Sequence, residues 1–199
     1  MSAIDWYDAN AEAFASRTFG PGMEHDHARF LAHVPAGGAV LDAGCGAGRD
    51  ALAFLRAGRE VTAFDGSAAL ARIASANTGL EVGCLTFAEM DWEQAFDGVW
   101  ACATLLHLPL ADLPATFARI ARALKPGGVF YASFKEGTGE RLANGRPFTD
   151  VTTAGLEDLM TGAGLELLDC WRSADGRTDH AGEIWVAAVG RRPSAASEA

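Results

Sequence analysis

Lysine is nearly absent from this 199-residue chain: Lys125 and Lys135 are the only two, and the formal net charge is −10. A surface so acidic repels phosphate backbones and argues against nucleic-acid binding. No apolar run approaches the roughly 18–20 residues that cross a bilayer, so no membrane association is expected. The opening MSAIDWYDANAEAF has neither a basic start nor an apolar stretch. No secretory signal is read there, and a cytoplasmic location is expected. Cys45, Cys84, Cys102 and Cys170 are scattered and form no CxxC pair. Neither a disulfide framework nor a zinc site is indicated, and no metal is expected. What is present, 49% hydrophobic and 21% charged residues, suits one globular domain with a full core.

From Ala39 onward, short apolar runs alternate with helical patterns. AVLDA, REVTAF, LEVGCL, FDGVWA and GVFYASF are bounded by turn residues and are apolar along most of their length. That is the pattern of parallel strands covered on both faces. Helices are expected at 49–57, at 68–76 behind a Ser67 cap, at 113–124 before the KPGG stop, and at 152–163. The segment 86–95 is too short for a full helix. Near the end, LELLDCWRS and EIWVAAVGR are joined by ADGRTDHAG with no helix between, so they should pair antiparallel. The sum is an α/β, doubly wound sheet: five parallel strands finished by an antiparallel hairpin. Two helices at 4–17 and 24–33 precede it and are expected to lie as a lid over its carboxyl edge. The division expected is a helical lid at 1–35, a ligand-binding domain at 36–190 and a disordered tail at 191–199.

The stretch VLDAGCGAGRD carries the strongest chemical signal. Its glycines are spaced GxGxG, and Arg49 stands where a dinucleotide fingerprint has its last glycine. Asp42, just before the loop, would oppose a pyrophosphate and favour a ligand with positive charge, such as an ammonium or sulfonium. Asp65 ends the second strand, where a carboxylate accepts hydrogen bonds from both ribose hydroxyls. The alternative for Asp65 is a plain cap on the following helix.

With VTAFDGS, FDGVWACATLLHL and LKPGGVFYASF, this stretch follows an order that resembles the class I S-adenosylmethionine-dependent methyltransferases, over roughly residues 6–189. The GCGAGRDALAFLRAG form looks most similar to the small methyltransferases grouped with tellurite-resistance proteins. The resemblance implies a Rossmann-like sheet of seven strands in the order 3-2-1-4-5-7-6, strand 7 antiparallel, with helices on both faces. It implies S-adenosylmethionine as cofactor and S-adenosylhomocysteine as product. The methionine part of the cofactor would lie against Asp42, Ala43, Gly44, Cys45, Gly46 and Gly48. Asp65 would hold the ribose, with Gly66 and Ser67 near the adenine. Phe87 stands where such families often have Asp. The polar adenine contact therefore moves to Glu89, with an amide from Ala88 and an apolar wall from Met90. Ala103 and Thr104 fall beside the methionine chain and sulfonium, and Arg17 would pair with the cofactor carboxylate.

Methyl transfer needs a positioned acceptor, and a general base only where the acceptor must lose a proton. His107 is the first candidate for a base or orienting group; its alternative is to cap the next helix. Tyr7, with Trp6, would cover the adenosine or the acceptor, or else simply pack. Arg49 and Asp50 start the helix behind the loop. His25 and His27 on the lid could face the acceptor, and His180 is expected to be solvated. Chains that methylate exocyclic amino groups carry an Asn/Asp-Pro-Pro-aromatic motif after strand four, where this one has ACATLL. A small-molecule acceptor is therefore expected, in a slot walled by 135–148, where Arg141 and Arg146 could attract an anion. A monomer or homodimer is expected. Two other readings stay open: a non-catalytic sensor of the same cofactor, and an NAD-dependent oxidoreductase, which Asp42 and Arg49 disfavour.

Overall fold

The computed structural model describes residues 2–20, 22–175 and 182–194. In chain order the elements are α1 (Ala3–Thr18), α2 (Glu24–Leu31), β1 (Ala39–Ala43), α3 (Arg49–Arg56), β2 (Glu60–Asp65), α4 (Ala68–Thr78), β3 (Gly83–Cys84), β4 (Phe96–Ala101), α5 (Leu113–Ala123), β5 (Leu124–Lys135), β6 (Gly139–Ala143), β7 (Arg146–Asp150), α6 (Thr153–Gly162), β8 (Glu166–Ala174) and β9 (Ile184–Arg191). The main sheet has seven strands in the order β3-β2-β1-β4-β5-β9-β8. The first five are parallel, and β9 runs antiparallel to both β5 and β8. This is the expected order, with the last strand inserted beside the fifth.

Strand alternation divides the core into two layers. Leu41, Val99, Phe130 and Ala188 face α5 and α6, where Phe117, Ile120, Leu156 and Met160 are buried. Val40, Trp100, Tyr131 and Val189 face Phe30 of α2 and Phe54 of α3. Trp100 and Tyr131 stack with ring centroids 3.7 Å apart. Local signals agree with these elements: Ser67 caps α4 by accepting from the Leu70 amide, and Thr152 caps α6 through the Gly155 amide.

Four features differ from the sequence reading. α2 does not lie over the carboxyl edge alone: Phe30 is fully buried on the sheet face, and a Cβ on Gly98 would lie 2.5 Å from its ring. β3 is only two residues long. The stretch 135–148, read as loop, instead extends β5 to Lys135 and forms most of a separate β6–β7 hairpin, turning at Asn144 (φ 50°) and Gly145 (φ 77°). Both positive φ values suit an Asn-Gly turn, which was the available signal. Finally, Arg191 belongs to β9, and Arg192 donates to the carbonyls of Ala121, Arg122 and Leu124. The ordered chain thus continues past the expected start of the tail.

Candidate active site

The loop after β1 is held in shape by backbone and carboxylate together. Gly44, Gly46 and Gly48 all have positive φ. A Cβ on Gly44 would lie 2.0 Å from Thr104 Oγ1, so the loop and the end of β4 approach as only glycine permits. The Gly44 and Cys45 amides both donate to the Phe64 carbonyl, which ties the loop to β2. Asp65 Oδ2 accepts from the Gly46 amide at 2.8 Å, and its Oδ1 accepts from the Ser67 amide at 2.8 Å. Burial raises the Asp65 carboxyl to about 6, although both amides pull it down. Each oxygen keeps a further lone pair for a ligand hydroxyl.

Beneath the loop lies an acidic pair with unequal surroundings. Asp42 is buried; the Ala51 amide donates to its carboxylate, while its Oδ2 has no partner. Burial and the charge of Asp50 push its carboxyl far above the ordinary range. Asp50 is also buried, which would raise it, but hydrogen bonds from His27 and Arg49 hold it well below that range. It accepts from His27 Nε2 at 3.0 Å, Arg49 Nε at 2.7 Å and Trp100 Nε1 at 2.9 Å. Burial, with Asp42 and Asp65 nearby, raises the Cys45 thiol strongly, so it stays protonated and is no nucleophile.

A cavity of about 290 Å³ lies between the loop, the tip of β2 and α1; Asp50 borders it, whereas Asp42, expected against the methionine part of the cofactor, is buried behind the loop and does not line it. Gly44, Cys45, Gly46, Asp65, Gly66, Ser67, Ala103 and Thr104 line it, with Tyr7 and His107. Ile4, Phe14, Leu85 and Phe87 add apolar walls. Ile4, Tyr7, Phe14 and Thr18 recur at helical spacing on one face of α1, a stripe visible in the sequence of which only Tyr7 was expected to cover the site. Asp8, also unread, accepts from the Ser67 hydroxyl and from the Ala69 amide at 3.1 Å, fastening α1 to α4.

Other expected residues lie outside this cavity. Ala43 is buried in β1 and Gly48 packs against Thr78 and Ala74 of α4. Ala88 is exposed, Met90 is in the core, and Glu89 turns back to accept from the Thr86 amide and hydroxyl, both at 2.8 Å. Arg17 is exposed, with Nε donating to the Ala13 carbonyl of its own helix. Arg49, by contrast, lines the cavity. His25 borders a second cavity, described below, and His27 serves Asp50. His180 lies outside the described residues.

The two catalytic candidates meet. Tyr7 Oη and His107 Nε2 are 2.9 Å apart, and His107 Nδ1 is 2.8 Å from the Pro147 carbonyl. A carbonyl only accepts, so Nδ1 carries the proton and Nε2 of the neutral ring accepts from the tyrosine hydroxyl. Burial and the neighbouring Arg146 charge lower His107 to about 4, against the pull of the Pro147 carbonyl. Arg146 Nη1 donates to Tyr7 Oη at 2.7 Å. Beyond this trio opens the second cavity, of about 780 Å³, which shares Tyr7, Phe14, Thr18, Ala103 and His107 with the first. Ala103 sits at that shared wall with φ 53°, a strained value for alanine, its amide donating to Ser133 Oγ at 2.9 Å. Among the described residues no cluster of His, Cys, Asp and Glu could hold a metal ion.

A site of this form has known relatives. Residues 40–128 match the family described as a methyltransferase domain. A ubiquinone biosynthesis O-methyltransferase from Xanthomonas axonopodis pv. citri is 34% identical over 136 residues, covering 64% of this chain and 55% of the relative. A homologous enzyme from Bradyrhizobium is 39% identical over 101 residues, 47% of this chain and 38% of its own length. The chain thus spans about half or less of the curated relatives it matches. Among solved structures, 1,6-didemethyltoxoflavin-N1-methyltransferase from Burkholderia thailandensis superposes with a TM-score of 0.73 at 26% identity, over 98% of this chain and 92% of that one. Residues 40–128 thus match a methyltransferase domain, and the chain as a whole shares the fold of a methyltransferase whose structure holds S-adenosylhomocysteine.

Proposed function

We propose that the chain transfers a methyl group from S-adenosylmethionine to a small-molecule acceptor, with cofactor in the first cavity and acceptor in the second. The observation that carries this reading is the junction of the two cavities at Tyr7, Phe14, Ala103 and His107. The residues present fit the cofactor. Gly44 and Gly46 let backbone come close, Asp65 offers lone pairs to two ribose hydroxyls, and Leu85 and Phe87 offer apolar contact. When bound, the cofactor supplies a methyl group already activated on a sulfonium.

The chain's own part is to position and to exclude water. Tyr7 and Phe14 close the shared wall from α1, Ala103 and Thr104 close it from β4, and the Tyr7–His107 pair orients the acceptor. Support comes from the Burkholderia relative, whose structure holds 1,6-didemethyltoxoflavin and S-adenosylhomocysteine. The Xanthomonas relative is named as an O-methyltransferase. The same reading includes a cytoplasmic protein, monomeric or homodimeric; among the described residues no helix is long and apolar enough to cross a membrane. Calorimetry with S-adenosylhomocysteine tests it: one molecule should bind per chain, and Asp65→Ala should bind it more weakly. Turnover of methyl-labelled cofactor against a metabolite pool should then label a small molecule. Absence of S-adenosylhomocysteine binding, or label appearing only in macromolecules, overturns it.

A further inference from the structure

The second cavity is ringed by cations, and almost all are already neutralised. Arg29 meets Asp169 at 2.8 Å, Lys135 meets Asp175 and Glu183, Arg141 meets Asp150, and Arg172 meets Glu136. Arg146 is different: among the described residues no carboxylate reaches it. Its guanidinium lies 4.4 Å from the Trp6 ring centroid, 5.1 Å from Phe148 and 5.4 Å from Tyr7. One nitrogen donates to the Tyr7 hydroxyl, and its Nε is buried without an acceptor. A guanidinium keeps its charge, so this corner holds an uncompensated positive charge with donors to spare. Phe14, Tyr131, Phe148, Trp171 and Trp185 supply flat walls around the same space.

The base at this corner is weak. His107 has its Nδ1 committed to Pro147, and burial together with Arg146 keeps the ring neutral down to about pH 4. The corner is built to receive a negative charge and poorly built to take up a proton. Resting on the methyltransferase reading above, we infer that the acceptor is a flat aromatic acid, a phenol or acidic heterocycle, that binds already ionised with its anion held by Arg146. Transfer then needs no base. The acceptor's lone pair forms the bond to the methyl carbon as the carbon–sulfur bond breaks, that electron pair goes to sulfur, and the two charges cancel. Tyr7 and His107 act as positioning residues.

The probe is 4-nitrophenol, whose ionised form is coloured, compared with its uncharged ether 4-nitroanisole. Binding to the protein saturated with S-adenosylhomocysteine should increase phenolate absorbance at fixed pH. The phenolate should bind roughly 10- to 100-fold tighter than the ether, the range of one charge-assisted hydrogen bond. Arg146→Gln should erase that preference, whereas Arg141→Gln, a cation already paired with Asp150, should keep it. If Arg146→Gln no longer folds, Arg146→Lys decides, keeping the sign of the preference with reduced size. Equal binding of phenol and ether, no phenolate binding, or an unchanged preference in Arg146→Gln overturns the inference. Failure of the wild type to bind S-adenosylhomocysteine would instead strike the methyltransferase reading, and 4-nitrophenol binding can still be read without it.

Discussion

At the scale of single residues, Asp65 joins an electrostatic property to a recognition role. Its carboxyl rises to about 6 through burial, above the ordinary value near 4. The native state thus holds this proton more tightly than the unfolded chain does. Its contribution to stability falls as pH climbs from about 4 to about 6, and is constant above that. Ligand affinity moves the other way, because only the ionised group accepts from two hydroxyls. S-adenosylhomocysteine affinity should be flat above about pH 7 and weaken by about tenfold per unit well below 6. Calorimetry between pH 5 and 8 checks this, and Asp65→Ala should bind roughly 10- to 100-fold more weakly with that slope removed. Asp65 was legible because an acid at a strand tip beside a glycine loop is a local pattern. The partners of Glu89 were also written locally, as the Thr86-x-x-Glu89 capping box, but chain distance from the loop drew attention to the wrong neighbour. Arg146 was visible only as one of two loop arginines. Its isolation from carboxylates depends on α1 and β7 meeting, contacts 139 residues apart in sequence.

At the scale of elements, strands buried on both faces were read nearly to the residue, because their apolar runs have sharp ends. AVLDA and FDGVWA coincide with β1 and β4. The short α2, EHDHARFL, gave little sign of its place because its polar residues, two histidines among them, outnumber its apolar ones, and a single side chain decides it. Phe30 contacts Phe54 and Trp100 with centroids 5.6 Å and 5.2 Å away, so α2 covers the sheet. Phe30→Ala should therefore lower unfolding free energy by about 3–5 kcal/mol, the usual cost of emptying a large aromatic site. Urea denaturation measures it. The folded fraction should bind S-adenosylhomocysteine within about threefold of wild type, since Phe30 lines neither cavity. A lid residue would give the reverse pattern, with affinity lost and stability kept.

At the scale of the whole molecule, βα alternation and the closing hairpin were legible in the sequence while the strand order came from the resemblance; that order fixes where the glycine loop and the β4 end converge. What alternation cannot specify is how α1 is seated, since helix and sheet meet there through polar fastenings more than through a core. Only Ala11 and Ala15 of α1 are buried. The helix is held instead by Asp8 on Ser67 and Ala69, and by Arg146 against Trp6 and Tyr7. Few buried apolar contacts mean that α1 opens at a lower free energy than the sheet unfolds. Because Tyr7 and Phe14 wall both cavities, that opening admits ligand to each. Asp8→Ala removes one fastening without touching the core. It should speed amide exchange in α1 by roughly 5- to 30-fold, matching about 1–2 kcal/mol for a lost cap, while β5 amides exchange as in wild type. Dissociation of S-adenosylhomocysteine should quicken by a similar factor, and saturating ligand should slow α1 exchange in both proteins. Hydrogen-exchange mass spectrometry with and without ligand reads both effects. Equal acceleration in α1 and β5 would show that α1 is part of the global unfolding unit and not a separate gate.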